Sequence, residues 1–186
     1  MRLVVTILLL SMTTLGYAKI SKEHLHSIFE EVSAKYDIPS SLLRAVCWAE
    51  STHNPIEYNH EDGGVENSSF GICQVLYATA KDYGFNDPKC EDDFQDKSTR
   101  TYENCKLFGV RTNINWAAKE LKRQLARYNG SWVNAIAAYN TGSIIICKTG
   151  YLTRKKDKKR IAKCRIGGYV NQVYIDRVLK ALRDGR

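Results

Sequence analysis

The sequence lacks internal repeats and low-complexity linkers, so nothing in it suggests a solenoid or a string of separate domains. Charged residues make up 26% of the chain and hydrophobic residues 44%, both close to the average of soluble globular proteins. This composition excludes global disorder, a collagen-like fibre and a polytopic membrane protein. A chain of 186 residues suits one domain, which at this size buries roughly 70% of its unfolded surface.

A Cys-x-x-Cys pair is also absent, and the four histidines do not alternate with the cysteines at the spacing of zinc ligands. We therefore expect neither a metal nor a cofactor. An even number of cysteines instead predicts disulfides in an oxidising compartment. Six cysteines allow 15 pairings, and short loops favour two of the bonds, with a third left over: Cys90–Cys105, Cys147–Cys164 and Cys47–Cys73.

The first 18 residues are typical of a secretory signal peptide. Arg2 provides the positive charge, residues 3–10 form a short apolar stretch, and residues 16–18 match the small-x-small cleavage signature. Cleavage is expected before Lys19, which is not the cysteine that a lipoprotein would need. The mature domain would then comprise residues 19–186, without a membrane span, in the periplasm or outside the cell.

Most of the periodic segments predict helices. Apolar residues recur at three- and four-residue spacing from Leu25 to Tyr36, from Leu42 to Ala49, from Ile114 to Tyr128 and from Val170 to Leu182. Short helices are predicted at residues 77–83 and 132–139. Residues 85–106 and 143–167 resemble loops, and a small hairpin is expected near residues 58–75. The predicted class is mainly α.

The chemical surroundings of Glu50 indicate an unusual carboxyl group. It ends an apolar helical run, and both the helix dipole and its apolar neighbours disfavour an ionised carboxylate there. The pKa of Glu50 should therefore be raised, as a general acid near neutral pH requires. A solvated surface glutamate is the alternative that this observation alone leaves open.

Four further motifs follow Glu50-Ser51 in order: Asn54-Pro55, Ser69-Phe70-Gly71-Ile72-Cys73-Gln74, Ala137-Ala138-Tyr139-Asn140 and Tyr169-Val170-Asn171. Their order and spacing resemble the SLT-type lytic transglycosylases, whose fold is α+β and similar to goose-type lysozyme. The likeness covers residues 25–182. It implies a helical domain with a small hairpin beside the active-site cleft.

The resemblance also implies an activity. These enzymes cut the β-1,4 bond between N-acetylmuramic acid and N-acetylglucosamine in peptidoglycan and release a 1,6-anhydro sugar. Glu50 would first protonate the glycosidic oxygen and then, as a carboxylate, accept the proton of the muramoyl C6 hydroxyl. A second catalytic carboxylate is then not required.

Other residues take their expected roles from the same likeness. Gly71 would let a sugar approach the backbone, Gln74 would bind an N-acetyl group, and the Tyr139 hydroxyl would hydrogen-bond the catalytic carboxylate. Four further residues are expected to contact the substrate. Ser51 and Ser69 would form hydrogen bonds with it, Asn140 would line the floor of the cleft, and Tyr169 would lie near the sugar beside the scissile bond.

The sequence departs from the family pattern at one stretch, and it leaves two alternative functions open. Arg165-Ile166-Gly167-Gly168 replaces the Glu-Thr that precedes the tyrosine of the last helix in many family members, so the local contacts there should differ. Acidic residues near the hairpin could position a water, as aspartates do in goose-type muramidases, although Glu61 and Asp62 lie in a Gly-rich turn that explains them more simply. An inactive wall-binding module is the second alternative, which intact Glu50 and Gln74 oppose.

A basic segment completes the sequence. Residues 148–165 contain nine Lys or Arg and one Asp, within a chain of net charge +8. This charge suits an anionic cell wall and, less well, a nucleic acid, for which no motif is present. We expect a monomer that binds peptidoglycan strands. By resemblance, it would serve an envelope-spanning secretion, pilus or conjugation machine or a phage.

Overall fold

The computed structural model describes residues 20–60, 64–92, 94–153 and 160–186. The expected signal peptide, Glu61 and Asp62 lie outside these residues, as does the middle of the basic segment. Within the described ranges, no helix is both long and apolar enough to cross a bilayer.

Six α-helices form most of the described fold: α1 Lys22–Tyr36, α2 Ser40–Ser51, α3 Tyr77–Asp82, α4 Val110–Arg127, α5 Trp132–Thr141 and α6 Gln172–Arg183. Single 3₁₀ turns lie at Val65–Asn67, Pro88–Glu91, Lys97–Thr99 and Lys106–Phe108. The mainly α, lysozyme-like class predicted from the sequence is confirmed. Helix α6 begins at Gln172, so Tyr169 precedes it.

Helix α1 begins at a local side-chain cap, whereas the start of α2 is held by a contact with a neighbouring helix. The Ser21 hydroxyl accepts a hydrogen bond from the amide of His24 and caps α1. Helix α2 follows Pro39, and no side-chain hydrogen bond caps its N-terminus. The Ser40 hydroxyl instead donates to Glu30, 2.6 Å away, and ties α2 to α1.

The helices surround one hydrophobic core. Helix α2 packs against α6 and α1, and α4 packs against α5 and α1. Helix α4 is central because one face buries an apolar stripe, of which Ile114, Ala117 and Leu121 have no exposed surface. The small alanine side chains let neighbouring helices approach closely.

A small antiparallel sheet lies beside the helices. Its strands are β1 Tyr58–Asn59, β2 Ser69–Phe70 and β3 Val75–Leu76, with β2 in the middle. Phe70 is fully buried, and its ring centroid lies 5.4 Å from that of Phe108 and 5.9 Å from that of Phe94. This aromatic cluster fixes the sheet against the core.

The expectation of an unstructured segment at residues 143–167 was wrong in part. Two further strands, β4 Tyr151–Thr153 and β5 Arg160–Lys163, pair antiparallel there. The sequence shows no clean alternation of apolar and polar residues in this stretch. Its pairing is supported by the disulfide between Cys147 and Cys164, which joins the two sides of the hairpin.

The structure confirms the three expected disulfides, which are the pair left over and the two that short loops favoured: Cys47–Cys73, Cys90–Cys105 and Cys147–Cys164. The first joins α2 to the loop between β2 and β3, with 4.0 Å between the two Cα atoms. This bond brings the segment before Glu50 and the segment before Gln74 together.

Candidate active site

Glu50 lies in the last turn of α2, in the wall of a cleft of about 460 Å³. Protein surrounds the carboxylate on most sides, and burial raises its pKa from 4.5 to about 7. The Tyr174 hydroxyl and the positive charge of Arg177 oppose this shift without cancelling it. The carboxyl group is therefore poised between its acid and base forms near neutral pH.

The cleft separates the small sheet from α4 and α5. Five of the predicted site residues line it together: Glu50, Ser69, Gln74, Tyr139 and Asn140. Further lining residues are Asn59, Asn67, Val75, Leu76, Thr79, Trp116, Ala117, Glu120, Arg123, Thr141 and Gly142. A cleft lined by many amide and hydroxyl groups suits a polar ligand.

The Gly-x-x-Gln segment forms a tight turn at the cleft edge. Gly71 and Gln74 both have positive φ angles, 71° and 49°. The side-chain amide of Gln74 donates to the Gly71 carbonyl, 3.0 Å away. A Cβ on Gly71 would lie 2.6 Å from Nδ2 of Asn113 and 2.7 Å from the Leu107 carbonyl. Close packing against α4 therefore explains this glycine, whereas the sequence suggested close approach of a sugar.

Asn113 was not identified from the sequence, although it organises this turn. Its side chain is fully buried on α4. Its oxygen accepts from the amide of Cys73, and its Nδ2 donates to the carbonyls of Phe70 and Leu107, at 2.9, 2.7 and 2.8 Å. An asparagine in an otherwise apolar helix face was the available signal.

The Tyr139 hydroxyl lies near Glu50 but donates its hydrogen bond elsewhere. The acceptor is the carbonyl of Cys73, 2.9 Å away. The negative charge of Glu50 contributes to raising the pKa of Tyr139, after burial, which shows that the two groups are close. The expected donation to the Glu50 carboxylate is therefore not formed in this structure, and Tyr139 holds the Gln74 turn instead.

Tyr174 of α6 takes the position expected for Tyr139. Its hydroxyl is buried and forms no well-aligned hydrogen bond with a described residue. It still faces Glu50 closely enough to lower the pKa of that carboxyl. Arg177, one turn further along α6, donates to the carbonyl of Ala49, 3.1 Å away. Tyr174 lies on the buried face of the amphipathic helix α6, and no motif in the sequence assigned a function to either residue.

Ser51, Gly71 and Tyr169 do not line the cleft. The Ser51 hydroxyl donates to the Ile72 carbonyl at 2.6 Å and accepts from the amide of Asn54 at 2.9 Å, so it joins two loops. The Tyr169 hydroxyl donates to Asn134. These hydroxyls stabilise the frame of the site.

Asn140 is placed by the start of α6. Its side-chain oxygen accepts from the amide of Asn171, 3.1 Å away, and Asn171 also donates to the Ala137 carbonyl, 2.9 Å away. The Tyr-Val-Asn motif thus fixes the Ala-Tyr-Asn motif, which explains why both occur in one site.

The acidic residues around the hairpin have separate structural partners where the structure describes them. Glu57 accepts a hydrogen bond from the Asn54 amide at 2.7 Å, and Glu66 forms an exposed ion pair with Lys81 at 2.6 Å. Neither lines the cleft. Among the described residues, no group of His, Cys, Asp or Glu could hold a metal ion.

Glu120 is a second carboxylate in the cleft and was not predicted from the sequence. It lies on α4 beside the apolar stripe and is only 8% exposed. It accepts hydrogen bonds from Tyr83, Gln124 and Arg123, the last through two nitrogens at 2.9 Å each. Its partner Tyr83 is distant in sequence, so only the tertiary structure reveals the burial.

Comparison with known proteins agrees with this geometry. The family model described as "Transglycosylase SLT domain" matches residues 27–162. "Protein IpgF" of Shigella sonnei is 27% identical over 136 residues, which is 72% of this chain and 71% of the relative. "Protein IpgF" of Shigella flexneri gives the same identity and coverage. The match to the family model ends before Tyr169, Tyr174 and Arg177. Because it spans well over half of the chain, this protein belongs to the transglycosylase SLT domain family.

Proposed function

We propose that the protein is a peptidoglycan lytic transglycosylase that uses Glu50 as its single acid and base. The observation that carries the proposal is the Glu50 carboxyl, with its pKa raised to about 7 in the wall of a polar cleft. A general acid is most effective when its pKa lies near the working pH. Family membership supplies the substrate class, peptidoglycan.

The proposed reaction has two proton transfers. Protonated Glu50 gives its proton to the glycosidic oxygen as the bond from C1 of N-acetylmuramic acid breaks, and N-acetylglucosamine leaves with a free 4-hydroxyl. The C6 hydroxyl of the muramoyl residue then bonds to C1, and the Glu50 carboxylate accepts its proton. No water is consumed, and Glu50 returns to its starting form.

The hydrogen bonds of Glu120 support a mechanism with a single catalytic carboxylate. Both of its oxygens already accept hydrogen bonds, and one partner is the positive charge of Arg123. With both oxygens already bound by these donors, this carboxylate is poorly placed to exchange a proton with a ligand. Among the described residues that line the cleft, this leaves Glu50 as the one carboxyl group suited to general acid and base catalysis.

Gln74 and Asn140 are the proposed substrate-binding residues that line the cleft, together with Ser69. Amide side chains both donate and accept, as recognition of an N-acetyl group requires. Ser51, Gly71, Tyr139 and Tyr169 are proposed to act by holding these groups. The three disulfides and the peptidoglycan substrate support a location outside the cytoplasm.

The decisive experiment identifies the product. Purified mature protein is incubated with peptidoglycan, and the released muropeptides are analysed by mass spectrometry. Products lighter by one water than the hydrolysed species are the expected anhydro form. Products with a free reducing end would overturn the lyase and support a goose-type muramidase.

The role of Glu50 is tested in the same assay with Glu50→Gln, which keeps the shape and removes the proton. We expect a loss of at least about 10²–10⁴-fold, since both acid and base catalysis disappear. Circular dichroism confirms that the variant folds. A folded variant that clears peptidoglycan at a normal rate would contradict the assignment.

A further inference from the structure

A fixed cation lies in the cleft wall on α4. The guanidinium of Arg123 donates from Nε and Nη2 to Glu120, at 2.9 Å each, and its central carbon lies 5.7 Å from the centroid of the Tyr83 ring. Its third nitrogen, Nη1, donates to no described residue. The side chain is about half exposed and lines the cleft, so it can contact a ligand there.

Glu120 holds Arg123 without being available to the ligand itself. Its carboxylate also accepts from the Tyr83 hydroxyl and from Gln124, so its hydrogen-bonding sites are occupied. The carboxylate and the aromatic ring together fix the plane of the guanidinium. An arginine that is oriented in advance loses little conformational entropy when it binds a planar anion.

The charge at this end of the cleft stays positive despite Glu120. The Lys119 ammonium lies 4.7 Å from the centroid of the Tyr83 ring and 5.0 Å from that of Trp116, and the two rings are stacked in parallel. Lys119 and Arg123 thus both contact the Tyr83 ring, whose hydroxyl donates to the one carboxylate, Glu120. The local field favours a negatively charged group of the ligand.

The rest of the cleft contrasts with this end. Asn59, Asn67, Ser69 and Gln74 offer neutral amide and hydroxyl groups, and Arg123 is the one cation among the described lining residues. The sugar rings of peptidoglycan are neutral, and the lactyl group of a substituted muramoyl residue is bound as an amide. The carboxylates of the polymer therefore lie on its stem peptides.

We propose that Arg123 binds a carboxylate of the stem peptide carried by a muramoyl residue in the cleft, with Glu120 as its positioning residue. This inference rests on the proposed function, because it takes peptidoglycan as the ligand. It makes the enzyme selective for glycan strands that still carry charged peptides. An arginine that merely braced the fold would give no such selectivity.

The test measures binding in a Glu50→Gln background, so that the ligand stays intact. The ligands are soluble glycan strands with free stem carboxylates, the same strands with these carboxylates converted to amides, and strands from which an amidase has removed the peptides. Arg123→Gln is compared with Arg111→Gln. Arg111 is an exposed arginine of the same helix that pairs with Glu31, outside the cleft.

Arg123→Gln should weaken binding of the charged strands about fivefold to tenfold, the effect of one partly exposed charge-assisted contact. It should not change binding of the amidated strands, and Arg111→Gln should bind all ligands as the parent does. Arg123→Lys, which keeps the charge but not the planar fork, should recover part of the loss. Thermal unfolding confirms that each variant is folded.

Equal weakening on charged and amidated strands would overturn the inference, as would no weakening on either. An Arg123 effect that persists on peptide-free strands would assign the contact to the lactyl carboxylate and would also overturn it. The proposed function is assessed separately by cleavage. Wild-type protein that binds in an Arg123-dependent way but cleaves nothing would refute the activity alone.

Discussion

The Tyr139 hydroxyl donates a hydrogen bond to the carbonyl oxygen of Cys73, 2.9 Å away, and so joins α5 to the turn that carries Gln74. Cys73 is also bonded to Cys47, which precedes Glu50 by three residues on α2. One residue thus ties together three segments that reach the cleft. The relative position of Glu50 and Gln74 therefore depends on a covalent bond and a buried hydrogen bond.

Removal of the Cys47–Cys73 bond should affect both stability and catalysis. For a sequence separation of 26 residues, loop entropy alone predicts a loss of about 3.5 kcal/mol. The Cys47→Ala/Cys73→Ala variant should also lose activity at temperatures where it is still folded, because the turn is no longer anchored to α2. Thermal unfolding and peptidoglycan clearing measure the two effects.

The matched control is Cys90→Ala/Cys105→Ala, which opens a loop with a separation of 15 residues away from the cleft. It should lose about 3 kcal/mol of stability and retain its activity while folded. Equal activity of the two double variants would show that the first bond does not position the site.

Gly71→Ala should be strongly destabilising. The added Cβ would lie 2.6 Å from the Asn113 amide nitrogen, and the φ angle of 71° is unfavourable for alanine. Gly130→Ala serves as the control, since Gly130 has a similar φ of 77° but no atom within 4 Å of the new Cβ. Chemical denaturation should give about 1 kcal/mol for Gly130→Ala and a clearly larger loss for Gly71→Ala. Similar losses would show that backbone strain alone explains Gly71.

The helices could be predicted from the sequence because their burial is periodic. The apolar stripe around Ile114 and Leu121 repeats at the helical period whatever lies opposite it. Strands β4 and β5 could not be predicted, because a pairing of three or four residues depends on the chain being closed by Cys147–Cys164. The local sequence carries no comparable pattern.

The residues of the candidate site also fall into a group that the sequence predicts and a group that it does not. Glu50, Gln74, Tyr139 and Asn140 were found because their motifs occur in a recognisable order. Asn113, Glu120 and Tyr174 were not, since each has a partner far away in the chain, such as Tyr83 for Glu120. Arg123 was missed together with Glu120, to which it donates. The direction of the Tyr139 hydrogen bond could not be predicted either, because it depends on where the Cys73 carbonyl points.

The rate should fall with rising pH near neutrality. The first step needs protonated Glu50, whose pKa is about 7. A plot of kcat/KM against pH should be level at mildly acidic pH and should fall about tenfold per pH unit above 7. A profile that stays level to pH 9 would contradict the role of Glu50 as the acid.

Glu50→Gln should make the protein more stable at alkaline pH. The pKa of Glu50 is raised in the folded state, so the wild-type protein loses stability as pH rises from about 4.5 to above 7 and the carboxyl ionises. The neutral glutamine avoids this cost, which amounts to at most about 3 kcal/mol for a shift of this size. Melting temperatures of the two proteins should agree near pH 4 and diverge by pH 8. A constant difference across this range would show that Glu50 ionises without penalty.

Tyr174→Phe should move the alkaline limb of the rate profile to higher pH. The Tyr174 hydroxyl lowers the pKa of Glu50, so its loss leaves burial less opposed and raises that pKa further. The hydroxyl has no other partner among the described residues, so the fold should tolerate the change. Tyr36→Phe is the control, because its hydroxyl donates to Asn115 on the far side of α4 and does not reach the cleft. An unchanged limb in Tyr174→Phe, or an equal shift in both variants, would show that Tyr174 does not set the protonation of Glu50.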